Sequence, residues 1–80
     1  MRVTVTVRRR PEIADPQGAT AARALHDLGY REVTSVRIDR TIHLDLDGDD
    51  PAEVEARVDE MCRRLLANPV IEDYEVTVDR

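Results

Sequence analysis

Met61-Cys62-Arg63-Arg64-Leu65-Leu66-Ala67-Asn68-Pro69-Val70-Ile71-Glu72-Asp73-Tyr74 is the stretch in which helix and sheet meet. Met61, Cys62, Leu65 and Leu66 recur at i, i+1, i+4 and i+5, the apolar stripe of an amphipathic helix. Asn68 is expected to close that helix in the left-handed conformation, and Pro69 cannot continue it. Val70 and Ile71 restart an apolar run. It leads into Tyr74, Val76 and Val78, whose alternation predicts the final strand.

Upstream, Val54 and Val58 extend the same stripe. Asp50 is a predicted N-cap, Pro51 suits the first helical position, and Glu53 completes a capping box. A helix from Pro51 to Ala67 is about 25 Å long. Asp47-Gly48-Asp49 reads as a turn. Before it, Ile42, Leu44 and Leu46 alternate with Thr41, His43 and Asp45, a third strand. Val33, Val36 and Ile38 predict a second strand in which Val33 is out of phase, implying a bulge or a late start. Asp39-Arg40 is expected to make a tight turn between these strands. Asp15-Pro16 opens the first helix, with Ala21, Leu25 and Leu28 on its inner side, Ala22 beside them, and Gly29 as its stop. Val3, Val5 and Val7 alternate with Thr4 and Thr6 in the first strand, which ends after Arg8-Arg9-Arg10 at Pro11.

The order is β-α-β-β-α-β. It predicts an α+β fold, with residues 1–80 as one domain. The expected architecture is a four-stranded, mainly antiparallel sheet with both helices on one face. The right-handed crossover rule makes this the split arrangement of ferredoxin-like folds. The other sheet face is predicted to carry Thr4, Thr6, Arg37, His43 and Asp45, solvated or paired with a second subunit.

Eighty residues make a small core, and such domains commonly add a disulfide, a metal or a partner. The single cysteine excludes an internal disulfide, which leaves oligomerisation or docking as the expected support. A net charge of −5 and two aromatic residues argue against a nucleic-acid surface. No apolar run approaches the ~20 residues of a membrane span, and the alternating N-terminal stretch is unlike a signal peptide. A cytoplasmic protein is the expectation, and a buried free cysteine fits a reducing compartment.

Catalytic parts are missing. Asp45 to Asp50 resembles a calcium loop only superficially: its glycine is at the fourth position, and Ala56 occupies the twelfth, where a bidentate Glu is needed. The segment reads better as a turn and N-cap. Arg8-Arg9-Arg10 reads as a solvated strand end, with a partner contact or phosphate site as the alternatives. Cys62 is expected to be structural, because no histidine has a sequence reason to lie beside it. His26 is placed on the exposed side of the first helix and His43 on the polar sheet face. Two isolated histidines do not form a metal site.

Read together, D-P-Q-G at Asp15 to Gly18, L-G-Y at Leu28 to Tyr30, V-R-I at Val36 to Ile38 and the Met61 to Tyr74 stretch resemble the PurS family. That family is the small subunit of phosphoribosylformylglycinamidine synthase. The resemblance covers nearly the whole chain. It implies a non-catalytic subunit in purine (IMP) biosynthesis that joins a glutaminase subunit to an ATP-dependent synthetase subunit. Ammonia then passes between them to formylglycinamide ribonucleotide. It further implies a homodimer or dimer of dimers, without nucleic acid or membrane. No cofactor belongs to this subunit; ATP, magnesium and glutamine are used by the complex. Gln17, Arg37, Asn68, Glu72 and Asp73 are the candidate partner-interface residues, and Asn68 has capping as its stronger reading. The chain departs from the family pattern at Asp39-Arg40, where relatives often have Gly-Lys, and in the acidic Asp45 to Asp50 segment. The competing function is a ferredoxin-like regulatory module binding a small molecule at a dimer interface.

Overall fold

The computed structural model describes residues 1–79. Strand β1 (Arg2–Arg9) is the centre of the sheet. Strands β2 (Arg40–Asp45) and β3 (Glu72–Asp79) flank it, both antiparallel to it. The register explains why β1 is built from valines. Val3 stands between Leu44 and Val78, and Val5 between Ile42 and Val76. These rows lie under helix α2 (Pro51–Met61), where Val3, Val5, Val7, Val54, Val58, Cys62 and Ala67 are buried together. Each buried valine contributes roughly 1.5–3 kcal/mol of hydrophobic stabilisation. The opposite face is polar, with Thr4 between His43 and Thr77 and Thr6 between Thr41 and Glu75.

α2 begins at the predicted N-cap, where Asp50 accepts a hydrogen bond from the Ala52 amide and Pro51 follows, but the expected capping box does not form, because the Asp50 carboxylate takes the Ala52 amide and not that of Glu53. Its end differs from the expectation. Cys62–Leu66 form a π-helical turn, in which the Ala67 amide donates to the Cys62 carbonyl at 3.0 Å. The wider turn throws Leu65 outward, 83% exposed, and brings Ala67 into the core in its place. Nor does Asn68 take the left-handed conformation, since among the described residues only glycines have positive φ. It closes the following turn instead. Its side-chain oxygen accepts from the Val70 amide, and its carbonyl accepts from the amides of Ile71 and Glu72.

Among the described residues the sheet has three strands, not four. Residues 33–39 make no strand and run, with no turn or bend at Asp39-Arg40, straight into β2. A two-residue hairpin needs positive φ at its central positions, and neither Asp39 nor Arg40 adopts it. Arg37 therefore lies outside the sheet and not on its polar face. Helix α1 (Pro16–Asp27) is correspondingly not on the sheet: it makes no substantial contact with the strands or α2. Residues 15–38 form a projecting arm. The molecule measures 51 × 25 × 14 Å with a radius of gyration of 16.2 Å, against about 12 Å for a compact chain of this length.

The arm is organised by the D-P-Q-G motif. Asp15 accepts from the Gly18 amide at 3.0 Å with one carboxylate oxygen and from the Ile38 amide at 2.9 Å with the other. One side chain thus caps α1 and holds the returning segment. These two backbone hydrogen bonds, the Ile38 bond above all, hold the Asp15 carboxyl below the usual carboxylate range. Gly18 is required by close approach, because a Cβ there would stand 2.1 Å from the Val36 carbonyl oxygen. At the other end of the arm, Gly29 (φ +103°) stops the helix. His26 is half-buried and not on the exposed side: its Nε2–H donates to the Val33 carbonyl at 2.7 Å.

Candidate partner interface

Antiparallel pairing brings the arginine run at the end of β1 against the starts of β2 and β3. Val7 faces Arg40, Arg8 faces Asp73 and Arg9 faces Glu72. Arg8 lies 3.6 Å from Glu75 and 3.9 Å from Asp39. Arg10 Nε is 3.3 Å from Asp73, an ion pair without hydrogen-bond alignment, while its Nη2 donates to the Pro69 carbonyl at 2.8 Å. Arg37 reaches back from the arm and donates to the carbonyls of Arg9 at 2.7 Å and Arg10 at 3.3 Å. Arg8 with Asp39, and Arg37 with the end of β1, brace the root of the arm. Exposed pairs of this kind contribute about 0.2–1 kcal/mol each.

Three of the five candidates, Arg37, Glu72 and Asp73, gather at this end. Arg37 and Asp73 are exposed there. Glu72 is different: its side chain is only 10% exposed and accepts from both the Asn68 amide at 2.8 Å and Arg40 at 3.2 Å. Arg40 also donates to the Leu66 carbonyl, so Glu72 and Arg40 together tie the helix exit to the sheet. Asn68 works in that same turn. Glu72 and Asn68 thus have complete structural roles, which the sequence reading gave only to Asn68. Gln17 is exposed on the first turn of α1.

Cys62 and Tyr74 are accounted for by packing. Cys62 is fully buried, and burial, then the Asp59 carboxylate, pushes its thiol above its ordinary value. Tyr74 donates to Asp59 at 2.6 Å, and Arg63 lies 3.4 Å from the same carboxylate. The hydrogen bond to Asp59, followed by burial, pushes the Tyr74 hydroxyl upward. The sequence reading placed Tyr74 inward without its partner. The available signal was the inward tyrosine itself, since a buried hydroxyl calls for an acceptor. His43 is exposed, 3.5 Å from the Thr4 hydroxyl. Among the described residues, no group of His, Cys, Asp or Glu is arranged to hold a metal, and no helix is long and apolar enough to cross a membrane.

A small α+β scaffold with an ion-paired strand end and a projecting arm defines a binding or assembly subunit. Asp15, His26, Asp50 and Glu72 are engaged in holding its own caps and turns. More particularly, the chain belongs to the PurS family: the family profile described as PurS, phosphoribosylformylglycinamidine (FGAM) synthase, matches residues 2–80. It is 38% identical to the FGAM synthase subunit PurS of Methanocaldococcus jannaschii over 99% of this chain and 95% of the relative. A crystal structure of Bacillus subtilis PurS matches with a TM-score of 0.88 and 40% identity, covering 99% of this chain and 98% of that one. A chain in the structure of PurLQS from Thermotoga maritima matches with a TM-score of 0.81 and 32% identity, covering 95% and 93%. The protein is therefore a subunit of FGAM synthase, a ligase complex of purine biosynthesis.

Proposed function

We propose that this subunit bridges a glutaminase and an ATP-dependent synthetase, so that ammonia released from glutamine reaches formylglycinamide ribonucleotide without escaping to solvent. The observation that carries this reading is the full-length match to a chain of the PurLQS structure. ATP, magnesium and glutamine act on the other subunits. The subunit works in the cytoplasm as a homodimer or dimer of dimers. Gln17, Arg37 and Asp73 lie on the surface offered to partners. Asn68 and Glu72 support that surface from the turn behind it.

The test is reconstitution from three separately purified components. Glutamine-supported activity is expected only in the complete mixture, with the three co-eluting on size exclusion. Ammonia-supported activity is expected to survive omission of this chain. Full glutamine-supported activity from the glutaminase and synthetase alone would refute the bridging role. Gln17→Ala and Asp73→Ala are expected to weaken co-elution while leaving the isolated fold intact.

A further inference from the structure

The fold does not use all the arginines gathered at the end of β1. Asp73 pairs with Arg10, Asp39 and Glu75 with Arg8, and Glu72 with Arg40. Arg9 is half-buried beside them and stands opposite Glu72, yet its guanidinium has no ion pair or hydrogen bond among the described residues. Arg37 uses Nη2 on the carbonyls of Arg9 and Arg10, which leaves its Nε and Nη1 without partners among the described residues. Asp15 lies near enough to feel both arginines: after its bonds to the Ile38 and Gly18 amides, Arg37 and Arg9 also help hold its carboxyl low. Both of its oxygens are taken by those amides, so it offers neither arginine a hydrogen bond.

These side chains border a cavity of 410 Å³ at the root of the arm, lined by Arg8, Arg9, Pro11, Arg37, Asp39 and Asp73. Its size falls within the roughly 300–1,000 Å³ of small-molecule sites. The two aspartates in its wall are each already paired with an arginine, so Arg9 and Arg37 are the surplus charge. Two guanidiniums on different segments call for one anion that can accept from both. A carboxylate is planar and matches a single guanidinium fork. A phosphoryl group is tetrahedral, with more acceptor oxygens and up to about two negative charges, and can take a fork on each side.

We propose that this cavity binds the phosphoryl group of a small-molecule ligand, held between Arg9 of the body and Arg37 of the arm. Arg8 stands beside it and can join by giving up its long contacts with Asp39 at 3.9 Å and Glu75 at 3.6 Å. Arg9 belongs to the sheet, and Arg37 precedes the Ile38 amide that Asp15 clamps. A bound phosphoryl group therefore ties the arm to the body. Because it binds the docked arm and not an opened one, occupancy stabilises the docked state by mass action. The inference does not rest on the bridging role, since every group it invokes lies on this chain.

The test titrates the full chain with inorganic phosphate, and separately with AMP, at constant ionic strength set with chloride. Calorimetry should show saturable binding. Hydrogen exchange at the Ile38 amide should slow about tenfold when the ligand is at about ten times its Kd. Arg9→Gln removes a guanidinium that no described group uses, so it should leave the urea midpoint unchanged and weaken binding by about tenfold or more. Arg23→Gln removes the same charge from an exposed position on α1 outside the cavity and should bind as the parent chain does. Tighter binding of AMP would support the site as one for a phosphate ester, and equal binding as one for free phosphate. Absence of saturable binding by both ligands would overturn the proposal. So would equal weakening by Arg9→Gln and Arg23→Gln, because the effect would then belong to the overall charge of the chain.

Discussion

The body and the arm are held together by different physics. In the body, valines of β1, β3 and α2, with Ile42 and Leu44 of β2, exclude water, and cohesion comes from apolar burial. In the arm, Gly18 is the only buried residue, and cohesion comes from a few directed hydrogen bonds: Asp15 to two amides and His26 to Val33. Burial is non-directional and tolerates shifts; a two-point clamp fixes one geometry and little else. The body has the core of a self-supporting unit. The arm keeps its shape but lacks a core of its own.

Substitutions can probe that contrast in order of size. Val5→Ala removes two methyl groups from the fully buried centre of the body and is expected to cost about 2–3 kcal/mol, read as a lower urea midpoint. Glu72→Ala leaves the Asn68 amide without its acceptor at the helix exit; a loss of about 1–2 kcal/mol in the same measurement is expected. Gly18→Ala forces the Val36 carbonyl away and acts on the arm. Hydrogen exchange at the Ile38 amide should accelerate about tenfold, while the β1 amides keep their protection. If β1 exchange rose in parallel, arm and body would be one cooperative unit.

Alkali comes next. The Cys62 thiol and Tyr74 hydroxyl are both pushed above their ordinary values of 9.0 and 10.0. The unfolded chain releases those protons first. Their contribution to stability is thus complete below these values and declines as pH rises through the higher folded ones. The melting temperature should fall from about pH 9 upward, and Tyr74→Phe should lessen the fall above pH 10.0. Smallest of all, Arg64→Ala breaks an exposed pair with Glu60 and should change stability by about 0.5 kcal/mol or less.

The body was legible in the sequence because local signals and tertiary packing agree there. Val3-Val5-Val7 alternate on a strand that the fold makes central. Asp50-Pro51 opens a helix whose Val54 and Val58 are buried. The arm was misread because periodicity reports that a face is apolar, not what covers it. Ala21, Leu25 and Leu28 have the spacing of a packed helix and are left half-bare within one chain. Val33 to Ile38 have strand composition but no strand within reach. The missing turn was written in Asp39-Arg40, which lacks a glycine, and in the even-numbered parity from Val36 to Leu46. Among the candidate interface residues, local pattern gave Asn68 as a left-handed helix cap, and it closes the following turn instead. Glu72 was read only as an interface residue because its side-chain partner Arg40 lies 32 residues away along the chain.

The central position of β1 also bears on timing. Arg2 pairs with Asp79 and Val3 with Val78, so the strand made first finds one of its two neighbours last. Closing a loop of nearly the whole chain is slow compared with forming a helix or hairpin. A nascent chain released before β3 would expose Val76 and Val78's vacant places beside a row of valines, a surface suited to aggregation. Completing the sheet therefore depends on a strand far along the chain from the one it pairs with.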